Sequence, residues 1–458
     1  MDMGRKIPDA LIQSLEQLEG FDSRTFLQVH ALNEPLCSIR LNPEKSSSGF
    51  TNEQVVPWNL QGRYLKERPL FTADPLFHAG CYYVQEASSM FLSHVLKQTV
   101  DLSSRLRVLD LCAAPGGKST LISSLLNPQS LLLANEIIKS RIPILSDNLT
   151  KWGKLNTYIS QNDPRDFSKL PSYFDLIVAD APCSGSGMFR KDPEAITEWS
   201  EEAVNLCSQR QQRILADVYP ALKKDGVLVY STCSYSEAEN EAISDWLSKN
   251  FALESIRLKI DPAWGIVETQ SNIDGNWGYR FYPHLIKGEG FFLACFRKKE
   301  GDLTQDVKIR KQEPIKIPVK HLEELNRWIS SDSISIRPFQ DGYLAIPSGH
   351  VLDLSLLQER LYLKKSGTRL GKFAGNDLIP DHELALSIAA SDTIQRIALT
   401  REQAISYLKK EELRLETDTR GWALMCFEGF GLGWAKILPT RINNYYPKEQ
   451  RIFDSSIS

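Results

Sequence analysis

Leu106-Arg107-Val108-Leu109-Asp110-Leu111-Cys112-Ala113-Ala114-Pro115-Gly116-Gly117-Lys118 is the stretch that decides the fold class. Leu106 to Leu111 is a short apolar run bounded by turn residues, which reads as a buried strand. The Gly-rich turn after it leads into a helix. Gly116 and Gly117 let the backbone approach a ligand closely, and a helix amino terminus favours negative charge. The segment is therefore a strand, a ligand loop and a helix in sequence.

Outward from this loop the pattern repeats. Ser130–Asn135, Thr157–Ser160, Phe174–Ala179 and Val227–Tyr230 read as further strands, with a helix around Glu201 to Leu222 between the last two. Strands alternating with helices mean an α/β domain with a parallel sheet and right-handed crossovers. Phe291–Phe296 reads as a closing strand at the domain edge, and the domain ends near Lys299. Before it, residues 1–97 mix helical spacing (Leu11 to Leu18, Gln85 to Leu96) with a half-buried strand at Leu36–Leu41. After it, residues 300 to 320 are charged, contain Pro314 and Pro318, and read as a linker. The division expected is 1–97, 98–299, 300–375 and 376–458.

Gly117-Lys118-Ser119 matches the second half of a phosphate-binding P-loop. The full G-x-x-x-x-G-K-[ST] pattern requires glycine at 112, where this chain has Cys112, and Pro115 stiffens the loop. That argues against a nucleoside triphosphatase. Glu136 lies twenty positions beyond Gly116, the offset at which a carboxylate meets ribose hydroxyls in a dinucleotide-type site. Nucleoside recognition without a phosphate grip fits S-adenosylmethionine. Asp163 is placed to reach the adenine edge, with a helix cap or turn as its competing role.

Cys183, in Asp180-Ala181-Pro182-Cys183-Ser184-Gly185, and Cys233, in Ser231-Thr232-Cys233-Ser234, each follow a strand. Ligands of open α/β sheets bind in the crevice beyond the carboxyl ends of the strands. Two thiols there point to covalent chemistry.

The 458 residues suffice for two to four domains, and 42% hydrophobic and 24% charged residues are ordinary for a soluble protein. No run reaches the roughly 18 apolar residues of a membrane span, and Met1–Lys6 leads into a polar helix-like segment rather than a signal-peptide core. A cytoplasmic protein without membrane contact is expected. The eight cysteines show no C-x-x-C pair or zinc spacing, so no metal is expected and the thiols should be free. Cys37, Cys81, Cys207, Cys295 and Cys426 are assigned to packing, and Cys112 to packing within the loop. A formal charge of −3 leaves only local basic patches for nucleic acid.

Asp110-Leu-Cys-Ala-Ala-Pro-Gly-Gly-Lys118, Asp180-Ala-Pro-Cys-Ser-Gly185 and Ser231-Thr-Cys-Ser234 together resemble the Nop/Sun family of RNA cytosine methyltransferases. The resemblance extends to Tyr83–Met90 and to Pro283-His284…Gly288–Phe292. The tail, Gly431–Trp434 through Asn443–Pro447, is similar to the bacterial branch that modifies small-subunit ribosomal RNA. The resemblance implies a Rossmann-like S-adenosylmethionine-dependent catalytic domain, an N-terminal α/β extension and a small C-terminal PUA-like RNA-binding domain. It also implies transfer of a methyl group to carbon 5 of a cytosine in RNA, here of 16S type. By motif, Cys233 is the nucleophile, Cys183 assists breakdown of the adduct, and Asp180 holds the base beside the methyl donor. The cofactor set is Cys112, Ala113, Ala114, Pro115, Gly116, Gly117, Lys118, Glu136, Asp163 and Asp180.

The chemistry explains the thiols. Carbon 5 of cytosine is a poor nucleophile until a thiolate adds to carbon 6 and turns the ring into an enamine. The target must be single-stranded or flipped out. Arg190 and Lys191 are candidates to clamp flanking phosphates, against a solvated charge run. Lys364, Lys365 and Arg369, within the basic stretch Arg360–Lys372, are a second candidate patch, against a plain surface helix. Lys436 and Arg441, interleaved with Trp434, Tyr445 and Tyr446, form either a stacking surface or a domain core. The partner expected is ribosomal RNA, alone or in the assembling small subunit, with the protein a monomer. The alternatives are the same chemistry on tRNA, or a non-catalytic assembly factor.

Overall fold

A computed structural model describes residues 6–32, 36–47, 49–301, 316–330 and 333–453. The central domain is built on ten strands, numbered here in chain order: β1 Arg107–Asp110, β2 Leu131–Asn135, β3 Thr157–Ser160, β4 Phe174–Asp180, β5 Leu222–Thr232, β6 Leu253–Ser255, β7 Val267–Gln270, β8 Trp277–Phe281, β9 Phe291–Lys298 and β10 Leu363–Lys365. The path across the sheet is β7-β8-β9-β5-β4-β1-β2-β3-β10, with β6 paired to β9. Strands β3-β2-β1-β4-β5 are parallel, and β7, β8 and β9 run antiparallel. This is the Rossmann-like fold, and its direction of winding reverses between β1 and β4, where such sheets open a ligand crevice.

Alternate residues of these strands enter two separate cores, as a period of two requires. Val108, Leu132, Val178, Val229 and Leu293 lie on one face, where Trp58, Met90, Phe91 and Val95 from the N-terminal residues cover them. Leu109, Leu133, Ile177, Leu228 and Phe292 lie on the other, beneath the helices Glu201–Val218 and Glu241–Asn250. Leu344, Ile346, Leu356 and Leu357 from beyond residue 300 complete that face.

Several expectations change here. Phe291–Phe296 does not close the sheet: β9 lies between β5 and β8, and β7 is the edge. Its continuous apolar run reflects burial on both faces. The helix expected over Gln85–Leu96 begins later, as a short turn at Ser88–Phe91 and a helix Leu92–Thr99. Residues 302–315 of the expected linker lie outside the described residues, but Val319–Trp328 is helical. Residues 334–380 form an antiparallel sheet of Ile334–Phe339, Gly342–Pro347, Thr368–Ala374 and Asp377–Pro380. The boundary placed between 375 and 376 falls in its last hairpin, where Ala374 pairs with Asp377.

This region is bound to the central domain by β10, antiparallel to β3, and by Asp353, which accepts from Arg105 at 2.6 Å, Arg107 at 2.8 Å and Tyr173 at 2.7 Å. The N-terminal residues carry a sheet ordered 54–56, 59–65, 37–41, 82–84. The C-terminal sheet runs Arg396–Ala398, Gly421–Phe427, Phe430–Ile437, Ile442–Asn444.

Three parts of the chain meet at Lys45. Its ammonium donates to Ala79 O at 2.8 Å, Lys151 O at 2.6 Å and Leu386 O at 2.7 Å. Each carbonyl lies in the last turn of a different helix: Pro75–Ala79, Ile142–Trp152 and His382–Leu386. Helix carboxyl ends carry partial negative charge and unpaired carbonyls, so one buried cation satisfies all three. Among the described residues no helix is long and apolar enough to cross a membrane.

Candidate active site

The ligand loop leaves β1 at Asp110 and re-enters a helix at Gly117. Gly116 caps that helix at φ 114°, a left-handed conformation that a side chain would strain. The loop borders a cavity of about 290 Å³ lined by Cys112, Ala113, Ala114, Pro115, Gly117 and Lys118 together with Asp180 and Cys233. Tyr83, Gln85 and Ser89 close it from the N-terminal side.

Asp180, at the end of β4, is clamped. Lys118 Nζ pairs with its Oδ2 at 2.8 Å, and Ser231 Oγ donates to its Oδ1 at 2.7 Å. Burial works against the Lys118 charge, but Asp180, by charge and hydrogen bond, and then Asp110 and Cys233 hold the ammonium above its usual range. Asp110 is fully buried, accepts from Ser119 Oγ at 2.6 Å, and is pushed up to about 7, chiefly by burial.

The two thiols meet. Cys183 Sγ lies 3.1 Å from Cys233 Sγ; both residues are partly exposed, and Cys233 lines the cavity. The Cys183 thiol is pushed well above the usual cysteine range, first by its hydrogen bond to Cys233, then by burial, and then by the charges of Cys233 and Glu239. Gly187 makes the approach of the two loops possible. Its N–H donates to Cys233 O at 2.8 Å, and a Cβ there would stand 2.5 Å from Gly290 O and 2.8 Å from Cys233 O.

Glu136 follows β2, is buried, accepts from Ile138 N at 2.9 Å, and faces Arg141 at 3.5 Å. Arg141 in turn donates to Ala114 O at 2.5 Å, tying Glu136 to the ligand loop. Asp163 caps the turn after β3, accepting from Arg165 N at 3.1 Å, with Arg213 at 3.6 Å. Neither lines the cavity that holds Cys233.

Two groups of residues went unread in the sequence. Arg40 is buried over the Trp152 ring and donates to Gln85 Oε1 at 2.7 Å and Thr120 Oγ1 at 2.6 Å, which braces the helix behind the loop. Glu239, Asn240 and Glu241 anchor the Cys233 segment from behind. Asn240 donates to Ser234 O at 2.8 Å and accepts from Thr232 Oγ1 at 2.6 Å. Glu241 pairs with Arg280, which donates to Tyr235 O at 2.7 Å. Their acidic, polar look signals a surface helix start, and only packing reveals them as buried.

The comparisons with known proteins agree along the chain. A model of the N-terminal domain of 16S rRNA methyltransferase RsmF matches residues 7–87, one of 16S rRNA methyltransferase RsmB/F matches 97–297, and one of the methyltransferase RsmF PUA domain matches 395–452. The ribosomal RNA small subunit methyltransferase F of Aeromonas salmonicida is 31% identical over 90% of both chains. That of Psychromonas ingrahamii is 30% identical over 86% of this chain and 85% of its own. The chain belongs to the methyltransferase F family.

Among solved structures, a methyltransferase homologue from Pyrococcus horikoshii is 29% identical, with a TM-score of 0.51, over 64% of this chain and 100% of that one. NSun6 from the same organism, at 21% identity and TM-score 0.53 over 64% of this chain and 99% of its own, shares the fold. Members of the family are S-adenosylmethionine-dependent methyltransferases with an RNA-binding PUA domain, and this chain is one. Its loop fits the cofactor: apolar Ala113, Ala114 and Pro115 face the cavity, and the Asp180 carboxylate on its wall suits a sulfonium cation.

The expected RNA contacts divide. Arg190 is buried, with Glu289 at 3.8 Å and Gly288 O at 3.5 Å, so it holds the fold and cannot clamp a phosphate. Lys191 beside it is exposed. Lys365 is buried in an ion pair with Glu383 and is likewise withdrawn from RNA. Arg369 faces Asp381 at 3.4 Å. The stretch lacks acids in sequence, but the fold supplies them from elsewhere. Lys364 sits 4.3 Å over the exposed Tyr362 ring. Arg441 is exposed, and Lys436 lies 5.5 Å from the Trp422 ring. Trp434 and Tyr446 are core residues, whereas Tyr445 is exposed.

Proposed function

We propose that this protein methylates carbon 5 of a cytosine in small-subunit ribosomal RNA, as a cytoplasmic monomer, through a covalent bond between Cys233 and carbon 6. The observation that carries the reading is the 3.1 Å approach of Cys183 and Cys233, with Cys233 on the wall of the cofactor cavity. The substrate class follows from the relatives named small-subunit ribosomal RNA methyltransferase F and from the PUA domain.

Residues 112–118 would hold S-adenosylmethionine, with Glu136, tied to the loop through Arg141, and Asp163 assigned to its nucleoside end; bound there, it would supply an electrophilic methyl group and leave as S-adenosylhomocysteine. Lys118 holds its ammonium against Asp180 on the same cavity wall as Cys233. Cys233 Sγ bonds to carbon 6 and shifts an electron pair toward carbon 5, the atom that accepts the methyl. Asp180, steadied by Lys118 and Ser231, faces the crevice where the base edge must lie. The hydrogen bond to Cys233 is the largest influence keeping Cys183 protonated, and adduct formation consumes that partner. Cys183 then gives its proton to solvent and takes the carbon 5 proton. The electrons released break the carbon 6–sulfur bond and return the Cys233 thiolate.

The test incubates the protein and labelled S-adenosylmethionine with ribosomal RNA, assembling small subunits or tRNA, and maps the modified base by bisulfite sequencing. Cys233→Ala should abolish transfer, and Cys183→Ala should accumulate a covalent RNA–protein adduct on a denaturing gel. Label in tRNA alone would overturn the substrate, and adduct accumulating in Cys233→Ala would reverse the roles.

A further inference from the structure

Ser184 and Ser234 directly follow the two thiols in sequence, and one buried side chain holds both. Glu239 has no exposed surface. Its Oε1 accepts from Ser184 N at 2.8 Å, and its Oε2 accepts from Ser184 Oγ and Ser234 Oγ, each at 2.6 Å. Gln211 Nε2 adds a donor to Oε1 at 3.3 Å. Tyr230 OH donates to the Glu239 backbone carbonyl at 2.6 Å and lies 2.9 Å from Gln211 Oε1, which fixes the backbone that carries the carboxylate.

Every contact made by this carboxylate is with a hydrogen-bond donor. Among the described residues no cation pairs with it. A buried carboxylate without a counter-ion persists only where donors replace water. Two of those donors belong to the Cys183 loop and one to the Cys233 loop. We propose that Glu239 is a positioning residue that sets the separation of the Cys183 and Cys233 sulfurs by clasping the serine that follows each. The proposal rests on the two-cysteine reading of the site. The Glu239 charge also stands among the influences that keep Cys183 a neutral thiol while Cys233 attacks.

The test compares the full chain with Glu239→Gln and with the Ser184→Ala/Ser234→Ala double variant, which keeps the carboxylate but removes both hydroxyl contacts. Glutamine puts an amide donor where Ser184 N also donates. One readout is disulfide formation between Cys183 and Cys233 under diamide, followed by mass spectrometry of the linked peptides. Each disulfide passes two electrons and two protons to one diamide, which becomes a hydrazine. The other readout is methyl-transfer kcat at saturating cofactor, with cofactor affinity measured in parallel.

Both variants should form the disulfide and turn over about 10²-fold more slowly, the penalty for reacting groups misplaced by roughly 1 Å, with cofactor affinity unchanged. Wild-type disulfide formation in a folded Glu239→Gln protein overturns the proposal. So does a loss of cofactor affinity and melting temperature with thiol coupling intact. If Cys233→Ala still transfers methyl groups while Glu239→Gln still slows disulfide formation, the covalent reading fails and the positioning role stands.

Discussion

Lys118 shows how one residue can do work its motif does not announce. In the sequence it completes half of a phosphate-binding pattern, yet in the fold its ammonium lies 2.8 Å from Asp180 on the wall of the cavity that Cys233 also lines. Lys118→Met should therefore lower single-turnover methyl transfer by about 10²-fold or more, the usual loss when a preorganised charge is removed from a reacting site. Rapid-quench transfer from labelled cofactor to RNA in the same variant measures that rate. An unchanged rate would mean that the Lys118 charge plays no part in transfer.

At the scale of elements, the crevice depends on how two loops pack. The turn Ser186–Met188 approaches the Cys233 backbone so closely that only Gly187 fits between Gly290 O and Cys233 O. Gly187→Ala should destabilise the protein by about 1–3 kcal/mol, the range for overpacking a rigid site. Its methyl transfer should fall more than its melting temperature suggests, because the added Cβ pushes the thiols apart. Calorimetry beside initial rates separates the two effects. Both strands and both cysteines were legible at this scale, since each strand is a short apolar run ending in a polar turn. The clasp behind them was not: Glu239 reads as a surface acid until the helix Glu201–Val218 brings Gln211 against it.

At the scale of the molecule, the N-terminal, central and C-terminal parts are locked by buried polar contacts. Lys45→Met would leave three helix carbonyls without their donor, at a cost on the order of 3 kcal/mol. Chemical denaturation should record that loss, and hydrogen exchange should show earlier opening of His382–Leu386. Close by, His78 accepts or donates across 3.4 Å to Tyr446 OH, and the His382 ring packs 5.4 Å from Tyr446. Burial lowers both imidazoles from an ordinary 6.5 to about 4, with Lys151 adding repulsion at each and Lys45 at His382. As pH falls, the unfolded chain takes up these protons near 6.5 while the folded chain resists until about 4. Stability is therefore full above pH 6.5 and is lost progressively toward 4. Melting temperature measured across that window should fall less steeply in His382→Gln.

The sequence by itself determined the parallel strands, the ligand loop, the choice of a nucleoside cofactor over a triphosphate, and the pair of crevice cysteines. These features are local: a period of two, a glycine at a turn and a thiol after a strand are written in adjacent residues. Only the tertiary structure decided which basic residues are free to meet RNA, because the acids that bury Lys365 and Arg190 come from Glu383 and Glu289, distant in the chain. It also gave residues 334–380, beyond the expected linker and without a strand reading in the sequence, the form of a packed sheet, and it revealed Glu239 and Lys45. Charge in a sequence does not say whether a side chain will meet water or a partner. That depends on long-range packing, which brings the partner.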